Sequence, residues 1–375
     1  MPQPELPPEI IQIILDNFKL TNKLDMRDLC AVSLTCRNLY NLVTPLIYSE
    51  VTLSNYDSVD HKFFSFVETM LNNPHLASLL KSYSGTLYPD SSAESSLRFE
   101  PLKGWLQNIV NVKTMHLNVA HDLAEIPFPK CPFRLESLDV ALFQGNELDI
   151  EPFLEDQPDL SSLHFYHFQT TAMRPLSLIA CPNLKALTGN SFAAKYILPG
   201  RKVVRFEWEY EWDWEAKKPV HLSANSFSEI SEELNNLRSL SYNMAGVKLF
   251  PQSMFKVINP ANAYLRSLRF LEIEAMLPED WVAIPTLPNL RVLFVLESPN
   301  VGVGNASLIK HQALIPGLFT KCPTLQCVDL HNPVFLGKRS CGRWLRGAKG
   351  GPVIIPLEVA EKGRTEFLDD DFEDV

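Results

Sequence analysis

The sequence predicts a mixed α/β protein in which a small N-terminal domain of three helices is followed by an irregular solenoid of strand-forming repeats. Two patterns support this prediction. Apolar residues recur at helical spacing over residues 6–50, and a short apolar phrase recurs along most of the remaining chain. Because 46% of the 375 residues are hydrophobic and 21% are charged, most of the chain can bury a core.

The helical pattern begins at Leu6-Pro7, after which Ile10, Ile14 and Leu15 lie on one face of a helix. Proline is tolerated at a helix start because its missing N–H would have no partner there. The next apolar positions predict two further helices, at Met26, Leu29, Cys30 and Leu34 and then at Leu39, Leu42 and Val43, with Pro45 at the end of the last. Three short helices offer little apolar area, so we expect them to rely on a neighbour or a partner.

Three motifs follow one another in this segment. They are Leu6-Pro7-x-Glu9-Ile10, Leu29-x-x-x-Ser33-Leu34-x-Cys36-Arg37-x-Leu39-Tyr40-x-Leu42 and Pro45-Leu46-Ile47-Tyr48-x-x-Val51. Their order resembles the F-box common in fungal proteins. The resemblance implies a domain that binds the Skp-type adaptor of a cullin–RING ubiquitin ligase. The adaptor contacts that it implies are Leu6, Pro7, Ile10, Ile14, Leu15, Leu29, Leu34, Leu39 and Tyr40.

The rest of the chain repeats a phrase in which one apolar residue is followed, three and five positions later, by two more. The copies are Val112-Met115-Leu117, Leu135-Leu138-Val140, Leu160-Leu163-Phe165, Leu184-Leu187, Val203-Phe206-Trp208, Leu237-Leu240-Tyr242, Leu268-Leu271-Ile273, Leu290-Leu293-Val295 and Leu325-Val328-Leu330, with a poorer one at Leu80-Tyr83. Several copies follow a Pro-x-Leu step, as in Cys181-Pro182-Asn183-Leu184. The first copies recur about every 24 residues, an interval typical of leucine-rich repeats.

In each copy the last two apolar residues lie two positions apart, so both point inward from a short strand while their neighbours face the concave side. These neighbours are the candidate substrate contacts: Tyr166, Arg205, Glu207, Glu209, Phe270, Glu272, Glu274, Phe294, Asp329 and His331. Carboxylates outnumber cations in this set, with few charges to balance them. We therefore expect a protein substrate that is basic or neutral and has apolar side chains.

The patterns divide the chain into an F-box-like domain at 1–53, a helical linker at 54–75, a leucine-rich-repeat domain at 76–335, a C-terminal cap or loop region at 336–365 and an acidic tail at 366–375, expected to be disordered. Aromatic and acidic residues alternate from Phe206 to Trp214, either as the packed inner face of a repeat strand or as a surface for a basic partner. The basic stretch from Lys338 to Lys349 is interpreted as a solvated loop or an anion contact, and the acidic tail has the charge to fold back on it.

The charge and the cysteine pattern exclude several functional classes. A formal net charge of -10 argues against general nucleic-acid binding, which needs a basic footprint. Neither the seven scattered cysteines nor the nine histidines show metal-ligand spacing, so we expect no metal, no cofactor and no catalytic residue. Without a signal-like N-terminus or a long apolar run, we expect a cytoplasmic or nuclear protein that does not bind membranes.

The resemblance and the repeats together predict a substrate-recognition adaptor of an SCF-type ubiquitin ligase for ubiquitin-dependent degradation, not an enzyme. Two alternatives stay open. One is a leucine-rich-repeat interaction scaffold without a role in ubiquitination, and the other is an enzyme with an unrecognised site.

Overall fold

The computed structural model forms two compact units, residues 1–160 and 161–375. It describes residues 7–15, 17–18, 23–53, 59–86, 99–119, 131–142, 150–167, 174–209, 212–213, 218–219, 227–243, 264–274, 278–296, 306–331, 339–348 and 350–365. The predictions for Leu6 and for the acidic tail at 366–375 lie outside these residues. The boundary after Leu160 falls inside the predicted repeat domain, and the domain limits inferred from the sequence remain predictions.

The first unit begins with helices α1 (Pro8–Leu15), α2 (Lys23–Ser33) and α3 (Arg37–Ser49). Their apolar positions recur every three or four residues, which brings Leu15, Leu29 and Val43 together in a buried core. Pro45 lies inside α3, so the prediction that it ends this helix is wrong. A proline inside a helix costs about 3 kcal/mol. Leu42, Leu46 and Ile47 pack against the core on both sides of Pro45, and this packing opposes that cost.

Four parallel strands complete the sheet of this unit: β1 (Glu50–Thr52), β2 (Ser82–Thr86), β3 (Thr114–Val119) and β4 (Ser137–Leu142). The remaining described helices of the unit are α4 (Val59–Asn72), α5 (Pro74–Leu79), α6 (Phe99–Asn108) and α7 (Glu151–Glu155). Helix α4 covers most of the predicted helical linker. It buries Phe63, Val67 and Met70, and Phe66 stacks on Tyr83 with 5.5 Å between ring centroids. This helix is therefore part of the core of the unit.

The second unit has its parallel strands side by side in chain order, followed by two antiparallel ones. The parallel strands are β5 (Ser162–His167), β6 (Ala186–Gly189), β7 (Arg205–Glu209), β10 (Ser239–Asn243), β11 (Phe270–Glu274), β12 (Val292–Leu296) and β13 (Cys327–His331). Strand β14 (Ser340–Leu345) pairs antiparallel with β13, and β15 (Val353–Pro356) pairs antiparallel with β14. A separate hairpin joins β8 (Trp212–Asp213) and β9 (Lys218–Pro219).

The helices in the described part of the second unit are short, apart from one between β12 and β13. They are α8 (Ser191–Ile197), α9 (Ser231–Leu234), α10 (Pro278–Ala283), α11 (Ala306–Lys321) and α12 (Leu357–Glu361), with 3₁₀ turns at Ser228–Ile230, Ile284–Thr286 and Lys362–Arg364. None of the helices in the described segments is long and apolar enough to cross a membrane.

The last two apolar residues of each three-residue phrase lie on a strand and are buried. The predicted alternation holds in β7, where the residues between them are half-buried. It is wrong for β10–β13, where these intervening residues are buried as well. In β10, Leu240 and Tyr242 are buried, and Leu240 is in register with Leu271 of β11. Phe206 and Trp208 of β7 are also buried, and the Trp208 ring lies 4.8 Å from that of Tyr242. The packed-inner-face interpretation is confirmed for this part of the aromatic and acidic stretch. Tyr210, Glu211 and Trp214 lie outside the described residues.

The Pro-x-Leu step before several strands forms a tight turn. The amide of Leu184 donates to the carbonyl of Cys181 at 3.2 Å, and Leu325 donates to Cys322 at the same distance. Proline fits the second position of such a turn because its φ is fixed near the required value. The first residue is constrained as well, since Cys181 has a φ of 46° in the left-handed region. These turns set the point at which each strand starts.

The basic stretch near residue 340 is not the loop expected from the sequence. Residues Ser340–Leu345 form strand β14, and the interpretation of this part as a solvated loop is wrong. A side chain at Gly342 would lie 3.1 Å from the Trp344 ring, a tight contact, so glycine at this position gives the ring room beside the strand.

Candidate functional site

Helix α1 carries apolar side chains on more than the face that it buries. Ile11 and Leu15 contact the helical core. Ile10, Ile13 and Ile14 are 42%, 59% and 50% exposed and lie three and four positions apart, which places them next to one another on the helix surface. Large aliphatic side chains at such spacing are typical of a helix that docks into a partner's groove. Ile13 was missed by the sequence analysis, although its offset of three from Ile10 signals the same surface.

The other predicted adaptor contacts divide between the core and the surface. Pro7, Leu34 and Tyr40 are exposed and Leu39 is half-buried, with Leu34 at 85% exposure in the turn between α2 and α3. Leu15 and Leu29 are buried in the helical core, so the expectation that they contact an adaptor directly is wrong. Both residues stabilise the packing of the helices instead. Their helical spacing from the exposed positions places them on the buried side.

The predicted substrate contacts in β5 and β7 are half-buried, and they are Tyr166, Arg205, Glu207 and Glu209. Arg205 and Glu207 are in register with Ala186 and Thr188 of β6, which are in turn in register with Ser162 and His164 of β5. The charges of the predicted contacts are partly balanced within the protein. Arg205 pairs with Glu207, and His164 Nε2 lies 3.1 Å from a Glu209 carboxylate oxygen. We call the predicted contacts in β5 and β7 the open face of the second unit.

The predicted contacts in β11, β12 and β13 are covered by residues 339–365, which we call the C-terminal segment. Phe270 and Phe294 are fully buried in one apolar cluster with Cys341 and Ala360 of this segment. Val292, Leu296, Ile355 and Leu357 pack around the cluster. The contact is close, since a side chain at Gly363 would lie 2.6 Å from the Phe270 ring. Phe270 and Phe294 are therefore inaccessible to a partner here, contrary to the expectation of exposed aromatic anchors.

Two carboxylates beneath the C-terminal segment are paired with its arginines. Arg343 donates from Nε and Nη2 to the two oxygens of Asp329, at 2.7 and 2.6 Å. Arg364 binds both oxygens of Glu272 in the same forked manner. Burial raises the pKa of the Glu272 carboxyl, and the hydrogen bonds from Arg364 act in the opposite direction. The expectation that these carboxylates are exposed and lack balancing cations is wrong, because the cations come from a segment distant in the sequence.

The last two predicted contacts lie where their strands end. His331 is half-buried at the end of β13. Glu274 ends β11, and its side chain lies outside what the structure describes.

Two observations on the described part of the chain concern metal binding and nucleophilic catalysis. No group of three or more His, Cys, Asp or Glu residues there could hold a metal ion. Burial raises the pKa of the Cys181 and Cys341 thiols to about 12, so both stay protonated at neutral pH and are poor nucleophiles. These surfaces can bind another protein through apolar and charged contacts.

Comparison with known proteins finds a family match for the N-terminal helices. Residues 4–54 match the family model described as F-box-like. The chain therefore carries an F-box-like domain, and such a domain indicates an adaptor rather than an enzyme. The fold comparison includes a crystal structure of a Bacteroides fragilis protein, 13% identical over 67% of this chain and 69% of the other, with a TM-score of 0.34. No curated protein matches the chain.

Proposed function

We propose that this protein is the substrate-recognition subunit of a cullin–RING ubiquitin ligase of the SCF type. The F-box-like domain binds a Skp-type adaptor, and the second unit binds a protein substrate. The observation that carries the proposal is the F-box-like match at residues 4–54, joined to exposed isoleucines on α1. The chain acts by proximity, since tethering raises the effective concentration of substrate lysines near a ubiquitin-charged enzyme.

The adaptor surface that we propose consists of Ile10, Ile13, Ile14, Leu34 and Tyr40. Fully burying a large aliphatic side chain contributes about 1.5–3 kcal/mol, so a few of them suffice for a stable contact. The helical core beneath is small, with Leu15, Leu29 and Val43 at its centre. Docking on an adaptor would add the apolar burial that such a small domain lacks by itself.

The substrate surface that we propose lies on a leucine-rich-repeat solenoid. In-register parallel strands in chain order, with the apolar residues of each repeated phrase buried, support this architecture. The open face, with Tyr166, Arg205, Glu207 and Glu209, is its accessible part. Glu272 and Asp329 would reach a substrate only after the C-terminal segment moved away. A basic or neutral substrate with apolar side chains remains the prediction for this face.

We propose a cytoplasmic or nuclear location for this function. The seven cysteines are reduced thiols, a state that a reducing compartment maintains.

Replacing Ile10 and Ile14 together by glutamate is expected to weaken binding of a purified Skp-type adaptor at least about 100-fold. The loss of two buried side chains at about 1.5–3 kcal/mol each accounts for this factor. Because both residues are already exposed, the helices should keep their circular dichroism signal and melting temperature. The measurement is a titration of the full chain by calorimetry.

The control is Val282→Glu, which makes the same apolar-to-acidic change at an exposed residue of α10 in the second unit. This variant should bind the adaptor as the unchanged chain does. Wild-type affinity of the Ile10 and Ile14 variant would contradict the proposed surface. Absence of adaptor binding by the unchanged chain would contradict the proposed function and favour a repeat scaffold without a ubiquitin role.

A further inference from the structure

The sheet of the second unit ends in a short strand with exposed apolar side chains. Strand β15 (Val353–Pro356) pairs with β14 on one side and is the last strand in the order that the described residues form. Val353 and Ile354 are both 56% exposed, and the strand contains no charged residue. An edge strand of this kind offers unpaired backbone groups and apolar side chains to any extended chain that could pair with it.

The hydrogen bonds of β14 and β15 define which backbone groups face the open edge. In an antiparallel pair, successive residues point their amide and carbonyl groups alternately toward the partner strand and away from it. The Leu357 amide donates to the Arg339 carbonyl at 2.9 Å, so the odd-numbered residues of β15 bond to β14 and the even-numbered ones face outward. The other side of β14 agrees with this alternation, since the Arg346 amide donates to the carbonyl of Gln326 at 2.9 Å.

Prolines occupy the outward-facing positions on both sides of Ile354. These prolines are Pro352 and Pro356. Because proline has no N–H, Ile354 supplies the amide at this edge, and the other two positions contribute carbonyl groups alone. The apolar run from Val353 to Ile355 is therefore bracketed by prolines. Uncharged runs of β-branched residues are prone to strand pairing, and flanking prolines interrupt it.

We propose that Pro352 and Pro356 close this edge of the sheet against strand pairing with a second copy of the chain. The inference does not depend on the ubiquitin-ligase proposal. It rests on the direction of the backbone groups in β15, on the exposure of its side chains and on the positions of the two prolines. A protein partner of the second unit would then be bound through side chains rather than by strand addition at β15.

A second copy is the partner that this edge would otherwise attract. Two β15 strands can align antiparallel about a two-fold axis at Ile354, which places identical apolar side chains opposite one another. The two Ile354 residues could exchange hydrogen bonds. In the flanking pairs, residue 352 of one copy would face residue 356 of the other, and neither proline could donate. The edge thus lacks most of the donors that hold two strands together.

The same prolines leave the pairing with β14 intact. They occupy positions whose amides would point away from β14, so no hydrogen bond between the two strands is lost. Pro356 also precedes helix α12 with a φ of -59°, close to the value that its ring imposes. Pro352 lies beside the strand partner, since a side chain at Gly342 would be 3.3 Å from its Cβ. The prolines therefore block the outer side of β15 without disturbing the inner one.

Self-association of the full chain tests the proposal. The variant Pro352→Thr/Pro356→Thr restores both outward amides, and threonine suits a strand and can also cap α12 at position 356. Sedimentation equilibrium over a wide range of concentration should show an association constant at least about 30-fold higher than that of the unchanged chain, because the regained hydrogen bonds stabilise the pair. Hydrogen exchange should show a slower exchange of the Ile354 amide in the associated variant.

Two further variants separate edge pairing from other causes of association. Adding Ile354→Lys to the double variant should reverse the association, because like charges would face each other across the two-fold axis. The matched control is Pro288→Thr/Pro323→Thr, which makes the same change at two exposed prolines of turns in the second unit and should not raise association.

Several results would overturn the proposal. One is a Pro352→Thr/Pro356→Thr variant that associates no more than the unchanged chain. Another is association that Ile354→Lys leaves in place, or that the turn variant shows equally, since the contact would then lie elsewhere. An unchanged chain that already dimerises with a protected Ile354 amide would mean that the prolines do not close the edge.

Discussion

Replacing Arg364 by methionine is expected to lower the free energy of unfolding of the second unit by about 3 kcal/mol. Arg364 holds both oxygens of Glu272, whose side chain is only 1% exposed. Removing one partner of a buried pair leaves an uncompensated charge, which costs about 3–5 kcal/mol. The lower end applies because Arg364 itself is 26% exposed and water can replace part of its contact. Denaturant unfolding of the full chain measures the change.

The double variant Glu272→Met/Arg364→Met separates the charge effect from packing. It removes both charged groups and fills their place with apolar side chains. We therefore expect it to recover most of the stability lost in Arg364→Met. Arg339→Met is the matched control, since Arg339 is exposed in the same segment and should change stability by no more than about 0.5 kcal/mol. If the double variant were less stable than the single one by the full additive amount, the pair would not be coupled and the forked contact would be absent in solution.

Replacing Phe294 by alanine is expected to cost about 3–5 kcal/mol. Phe294 is fully buried at the point where the sheet meets the C-terminal segment, next to Phe270, Cys341 and Ala360. The substitution removes ring contacts on both sides and leaves a cavity that neighbouring strands cannot collapse to fill. Trypsin should also cleave more readily after Lys362 and Arg364, because the segment loses part of the apolar contact that holds it down.

The control for this variant is Val282→Ala, a truncation at an exposed residue of the same unit that should leave stability nearly unchanged. A loss below about 1 kcal/mol for Phe294→Ala, within the range of surface substitutions, would mean that Phe294 faces solvent. The earlier expectation of an exposed aromatic anchor on a concave recognition face would then be restored.

Local patterns were sufficient to predict the strands and the N-terminal helices. A strand with apolar residues at every second position, such as Leu240 and Tyr242, can be recognised from a few positions, and so can a helix with a core residue every three or four. The Pro-x-Leu steps were equally local, because proline presets the backbone of the turn that precedes each strand.

The packing of the C-terminal segment over β11–β13 could not be predicted from local patterns. Glu272 and Arg364 are 92 positions apart, and no periodicity connects them. The carboxylates can be counted on the strands, whereas the arginines that pair with them come from residues 339–365 and carry no local signal.

The most direct test of the central claim is purification of the tagged full chain from its native cell, with bound proteins quantified by mass spectrometry. The account predicts a Skp-type adaptor and a cullin in near-stoichiometric amounts with the unchanged chain. Both should be lost from the Ile10→Glu/Ile14→Glu variant and kept in Val282→Glu. Recovery of the unchanged chain in folded, soluble form without either protein would contradict the proposed role of its F-box-like domain in a ubiquitin ligase.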